Sequence, residues 1–264
     1  TDLLSVAPDN PNNLAAAGNI FRSVGKLDLA RQQLDKAIAI YPGEPGFFQL
    51  RAEVRELDDV DGSVADMQRA LELWPDNADF VADLALFEFR RGNFVEADRG
   101  FIRILSEEPS DYNILAYRAM AQEKLGNQAA AKRLIGEAIA ASSGPNDEVS
   151  ICSFLALEAI MLKDALALCE NGLAQDPERP ESLRARGLVL LRMGQASAAL
   201  ADFDRAIAIN DRSAYAFYER ALTRWRLGDH DGAMEDVARA EAIVPTVERY
   251  FRGYGLDDLP PQAN

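Results

Sequence analysis

The sequence predicts an all-α chain built from seven tandem helix-turn-helix repeats. Three observations predict it. Columns of residues return along the chain at a fixed stride, a turn former sits midway through most strides, and alanine is plentiful while aromatics make up only 8%. A stride of this length marks a stack of similar units, each unable to bury its own apolar face alone.

The first column is small: Gly18, Ala52, Ala85, Ala119, Ser153, Gly187 and Ala221. The second is also small: Ala30, Ser63, Ala97, Ala131, Ala165, Ala199 and Ala233. Small side chains let two helix backbones approach closely. The third column breaks or caps a helix: Pro42, Pro75, Pro109, Ser143, Pro177, Asp211 and Pro245. The stride is 34 residues except for one deletion between Ala52 and Ser63. Gly25, Gly92, Gly126, Gly194 and Gly228 occupy the turn between the small columns, where positive φ ends the first helix. Asp58 and Ile160 stand there in the second and fifth repeats, which are the degenerate ones. A further column is mostly large and apolar: Leu34, Met67, Phe101, Ile135, Cys169, Phe203 and Val237.

This pattern resembles the tetratricopeptide repeat (TPR) family, and the resemblance covers residues 11 to 245. It implies a right-handed superhelical α-solenoid with a concave and a convex side. The repeats are expected at 11–43, 44–76, 77–110, 111–144, 145–178, 179–212 and 213–245. Residues 1–10 read as a stub, the end of a preceding helix, because Pro8 is in register with Pro42. The chain starts at Thr1 and not Met, so the expectation is that something upstream was removed, whether a signal, a domain or a truncation, and the register of Pro8 leaves open a longer array. Val247, Tyr250, Phe251 and Tyr254 recur at helical spacing and predict a short capping helix over 246–256, with a disordered tail at 257–264. The ending resembles the tails of some proteobacterial TPR proteins, and arginine outnumbers lysine as in GC-rich genomes, so a bacterial source is expected.

In the family the first helix of each repeat lines the concave side. The expected partner-binding groove is Leu86, Phe89, Met120, Phe154, Leu157, Arg184, Leu188, Leu191, Tyr215, Tyr218, Leu222 and Trp225. Its expected acidic rim is Glu53, Glu56, Asp79, Glu123, Asp147 and Glu181. An extended peptide or amphipathic helix would fit such a strip, and the rim favours a basic one. The competing expectation is that these apolar positions pack against the next repeat. Asn19 matches one position of the carboxylate clamp of chaperone-binding members. Ala15, Asp79 and Asp83 stand where cations or asparagines would be needed, which argues against that role.

The formal charge of −15 repels nucleic acid and anionic lipid. No uncharged stretch is long enough to span a bilayer; Ser150 to Cys169 is broken by Glu158, Lys163 and Asp164. No signal peptide is visible, and cytoplasm and periplasm both stay open. His230, the single histidine, falls in a turn and offers no catalytic pair. The stretch around Asp59, Asp61 and Gly62 fails as a calcium loop, with Leu57 and Gln68 at its ends. No metal, cofactor or catalytic residue is expected. Cys169 sits in the large apolar column and reads as a buried thiol; Cys152 occupies a column otherwise held by Arg51, Arg118, Arg186 and Arg220, and a disulfide between them stays open. The expected function is a scaffold or adaptor holding a protein segment, without catalysis. The alternative is a structural, self-assembling spacer of a larger envelope or secretion protein, and homo-oligomerisation stays open.

Overall fold

The computed structural model describes residues 9–259. Residues 1–8 of the expected stub and 260–264 of the expected tail lie outside the described residues. The described residues form helices and connecting turns, with no strand among them. The first four hairpins are α1 (Pro11–Ser23) with α2 (Leu27–Ile40), α3 (Pro45–Arg55) with α4 (Val60–Leu73), α5 (Ala78–Arg90) with α6 (Phe94–Glu107), and α7 (Tyr112–Lys124) with α8 (Gln128–Ala141). Three more follow: α9 (Pro145–Leu157) with α10 (Leu162–Gln175), α11 (Pro180–Arg192) with α12 (Ala196–Ile209), and α13 (Ala214–Arg226) with α14 (His230–Ile243). A short α15 (Val247–Arg252) ends the series.

The chain divides into two compact units, Thr1–Leu134 and Ile135–Asn264. Within the first, each helix from α1 to α7 packs on the next in sequence. Within the second, α9 to α14 do the same, and α9 also meets α11. The all-helical expectation and its chain of neighbouring hairpins therefore hold in each unit.

Local chemistry sets the ends of the helices. Asn10, Asn77, Asp111 and Ser213 accept hydrogen bonds from amides of the first turn that follows each. Gly92 and Gly228 adopt φ of 84° and 87°, the left-handed step that ends the first helix of a hairpin. The fifth repeat has no glycine there. Ala159 (φ 53°) and Met161 (φ 48°) take the left-handed conformation on either side of Ile160, which is buried. Each non-glycine residue so placed costs roughly 1–2 kcal/mol.

The small columns lie where the hairpin helices meet. A Cβ at Gly187 would stand 2.7 Å from Cε1 of Phe203, and one at Gly18 would stand 2.8 Å from Cγ of Leu34. Leu34, Met67, Phe101 and Phe203 are fully buried against these sites. Beside them a buried ion pair recurs. Arg51 grips Asp66 at 2.6 and 2.9 Å, Arg186 grips Asp202 at 2.7 Å through two nitrogens, and Arg220 grips Asp236 in the same way. Such forked pairs fix geometry as well as adding energy.

The fifth repeat replaces that pair with a covalent bond. Cys152 stands in the arginine column and is joined to Cys169 by a disulfide, with Cα atoms 5.8 Å apart. Cys169 is thus buried as expected, though as a disulfide and not as a free thiol. Cys152, expected to be partly covered, is fully buried, because the bond draws it between α9 and α10.

One buried acid stands out in the last hairpins. Glu219 is fully buried; Oε1 accepts from Arg184 at 2.6 Å, and Oε2 has no partner among the described residues. Burial pushes its carboxyl up to about 7, against the opposing pull of Arg184. The folded chain thus holds this proton to a higher pH than the unfolded chain. No stability is lost below the ordinary glutamate value; it falls as pH rises through the window up to about 7 and stays lower above it.

Two outcomes follow from these contacts. Replacing both cysteines by alanine lowers stability by about 3 kcal/mol in urea titrations, because the unfolded chain is no longer closed into a loop between positions 17 residues apart. The Glu219→Gln variant removes the pH-dependent loss. Between pH 4.5 and 7.5, its stability relative to the parent rises by about 3 kcal/mol, read from urea midpoints at each pH.

Candidate functional site

The first helices of the hairpins carry every residue of the expected groove. In the unit ending at Leu134, Leu86 is half-buried on α5. Phe89 is 4% exposed, with its ring edge-on to Phe94 at 5.3 Å. Met120 on α7 is fully buried. Two of the four residues of the expected acidic rim in this unit are paired within it, and so is neighbouring Asp83. Glu53 pairs with Arg22 at 3.1 Å, Glu56 pairs with Arg90, and Gln49 donates to Asp83 at 2.8 Å. Asp79 is exposed and Glu123 half-buried. Burial raises the pKa of Glu53, an effect that Asp83 adds to and Arg22 opposes. Asp83 is raised by burial and by Asp79, while its bond from Gln49 lowers it.

In the unit beginning at Ile135, Leu188, Leu191 and Leu222 are fully buried, and Leu157 is 8% exposed. Tyr218 is 1% exposed and lies parallel to Phe251 of α15 at 5.0 Å. These residues, with Phe89 and Met120, correct the expectation of an apolar strip open to solvent. A first helix is covered by its own partner helix and by neighbouring hairpins, and leaving leucine outside costs about 25 cal/mol per Å². The surface retains Tyr215, 39% exposed, with Phe154, Arg184 and Trp225 half-buried. The guanidinium of Arg184 lies over the Tyr215 ring at 5.9 Å, and Trp225 stacks on His230 at 4.1 Å. Of the rim, Asp147 accepts from the Ser143 amide at 2.7 Å, and Glu181 is exposed, 3.6 Å from Arg179.

Sequence reasoning passed over one further column. Positions 90, 124, 158, 192 and 226, two residues before the turn position of their repeats, fall at the end of the first helix and hold Arg90, Lys124, Glu158, Arg192 and Arg226. The same stride would have revealed it. In the second unit, Arg192 donates to the carbonyls of Ala156 and Leu157 at 3.2 and 2.6 Å, and Arg226 donates to that of Leu191 at 3.2 Å. Each arginine thereby adds a donor at the end of the preceding first helix, where the Ala156 and Leu191 carbonyls also accept from the Ala159 and Gly194 amides. Burial lowers the pKa of Arg192, and neighbouring Arg226 adds to the effect.

The segment after α15 meets this column. The Tyr254 carbonyl accepts from Arg192 Nη2 at 2.6 Å, and Asp258 pairs with Arg226 at 2.5 Å. Leu256 is fully buried, and Leu259 is half-buried. Among the described residues, no cluster of side chains is suited to hold a metal ion, and no helix is long and apolar enough to cross a membrane.

Comparison with known proteins agrees with this architecture. A family model for the tetratricopeptide repeat matches residues 53–98, 162–214 and 184–248. Human tetratricopeptide repeat protein 16 is 26% identical over 234 residues, 84% of this chain. The chain spans about a quarter of that relative's length, 24%. A tetratricopeptide repeat protein from Parabacteroides merdae has a similar crystal structure, with a TM-score of 0.56 at 15% identity, covering 94% of this chain and 98% of that one. A monomeric mutant of IFIT1 with Gppp-AAAA gives a TM-score of 0.50 at 18% identity, covering 89% of this chain and 60% of that one. At such identities the structural likeness speaks for the fold alone. With the family model spanning half of the chain and the small-residue hairpins in place, this chain belongs to the tetratricopeptide repeat family.

Proposed function

We propose that the chain is a protein–protein interaction scaffold that holds a segment of a partner on the first-helix faces of its hairpins and performs no reaction. One observation carries this reading: in a chain of this repeat family, the first helices keep Tyr215, Arg184, Phe154 and Trp225 at the surface of the second unit. Tyrosine, tryptophan and arginine are the side chains enriched where binding energy concentrates. The ring of Tyr215 is held edge-on by Tyr250 at 5.1 Å and by Phe251 at 5.8 Å, so little freedom is lost on binding. In the first unit, Asp79, Asp83 and Glu123 suit a basic or amphipathic segment better than an acidic one.

Tyr218 is a poor site for a test, since its truncation would remove the ring under Phe251. The informative variant is Tyr215→Ala with Trp225→Ala, screened beside the parent against tiled peptides from the source proteome. The expected result is peptides that bind the parent and lose at least tenfold in affinity for the variant, with helicity by circular dichroism unchanged. Peptides held equally by both proteins would contradict this role for the two rings. Mass that grows with concentration in light scattering, with no peptide bound, would replace the reading by self-assembly.

A further inference from the structure

The stride of the repeats sets the same kind of pocket at two places. One lies in the first unit, among the start of α5, the end of α6 and the start of α7, with a volume of about 130 Å³. The other lies in the second unit, among the start of α11, the end of α12 and the start of α13, with a volume of about 30 Å³. Moving three strides along the chain carries Asp79, Ala82, Ile104, Glu108, Asp111 and Ile114 of the first onto Glu181, Arg184, Ala206, Asn210, Ser213 and Ala216 of the second. Alanines replace Ile104 and Ile114, so the walls of the second pocket are the smaller ones. Its volume is smaller even so, and the bulky exchange that opposes the walls is Arg184 for Ala82. The Arg184 guanidinium bonds to Glu219 at 2.6 Å and lies over the Tyr215 ring. In the second unit the chain thus sets a cation of its own at the pocket.

The first pocket is short of such a cation. Its lining carries five carboxylates, Asp76, Asp79, Glu107, Glu108 and Asp111, against one arginine. That arginine, Arg103, donates to the Pro75 carbonyl at 2.6 Å and lies 3.5 Å from Asp76. Asp111 caps α7 by accepting from the amides of Asn113 and Ile114. Asp79, Glu107 and Glu108 are exposed and form no ion pair among the described residues. The charge of Asp79 also disfavours that of neighbouring Asp83. Val81, Ile104 and Ile114 supply an apolar wall beneath these acids.

We propose that this pocket of the third and fourth hairpins binds an arginine side chain of a partner segment, at the position that Arg184 takes in the second unit. This rests on the scaffold reading above and names one anchor of its partner. The methylene stem lies along the apolar wall while the guanidinium stays at the wet, acidic mouth. A planar fork engages a carboxylate through two parallel bonds, which the ammonium of lysine cannot do. A metal ion is a poorer occupant, since no cluster of side chains among the described residues is suited to hold one. The formal charge of −15 draws a cationic segment toward the chain before it docks.

The test titrates N-acetyl-arginine amide into the whole isotope-labelled chain and follows the backbone amide signals by NMR. The expected result is a saturable shift at amides 78–82 and 104–114, with those at 180–184 and 206–216 unmoved. The neutral isostere, N-acetyl-citrulline amide, is expected to bind at least tenfold more weakly, and the lysine derivative more weakly than arginine. The Asp79→Asn/Glu108→Gln chain loses at least tenfold in affinity. Ala82→Arg gives the first pocket the residue of the second and abolishes the saturable shift. The proposal is overturned by shifts spread over the whole acidic surface, by no saturation at tens of millimolar, by citrulline or lysine equalling arginine, or by unchanged binding to Ala82→Arg with helicity intact. If Ala82→Arg fails to fold, the Asp79→Asn/Glu108→Gln chain decides, and undiminished binding to it overturns the proposal. A peptide screen without binders would count against the scaffold reading and leave this shift standing. Peptide binders without this shift would strike the arginine anchor alone.

Discussion

The close approach of two helix backbones inside each hairpin is the constraint on which the rest of the structure depends. It is made by removing side chains. Gly100 faces Ala85, where an added Cβ would stand 2.6 Å from the alanine's own, and Gly187 lies against the ring of Phe203. Once the backbones are that close, the large residue of each hairpin closes over the contact: Leu34, Met67, Phe101 and Phe203 have no exposure. The forked arginine–aspartate pairs fix the hairpin further, and each aspartate is buried only because its arginine reaches it.

The fifth repeat shows what happens when that device is missing. It has neither the turn glycine nor the arginine, and three local changes stand in their place. Ala159 and Met161 carry the left-handed backbone, Ile160 turns into the core, and Cys152 is bonded to Cys169. A disulfide constrains the unfolded chain most directly, so it offsets a turn that costs energy in the folded one. Such a bond persists where the surroundings are oxidising.

Much of this was legible in the sequence, for a physical reason. A backbone contact tolerates only glycine, alanine or serine, so Gly18, Ala52, Ala85 and their counterparts announce themselves at each stride. The charged column ending in Arg192 and Arg226 was equally periodic and needed only to be read. The groove was legible only in part. Helical position places Leu188 and Trp225 on comparable faces, but it does not say that neighbouring helices cover the first and leave the second half-open. The ion pair between Asp258 and Arg226 joins residues far apart in sequence through a turn at Gly255, and no local pattern reports such a contact. The cysteine pair carried a signal of its own: Cys152 breaks an arginine column whose partners lie sixteen residues on, one short of Cys169.

The most direct measurement is the urea unfolding midpoint of the Gly187→Leu chain. If the close seating of the Phe203 ring on the Gly187 backbone holds the hairpin together, the added side chain must displace Phe203, and stability falls by about 1–3 kcal/mol. A midpoint and slope equal to the parent's would show that the hairpin accepts bulk at its closest contact, and the account built on that contact would fail.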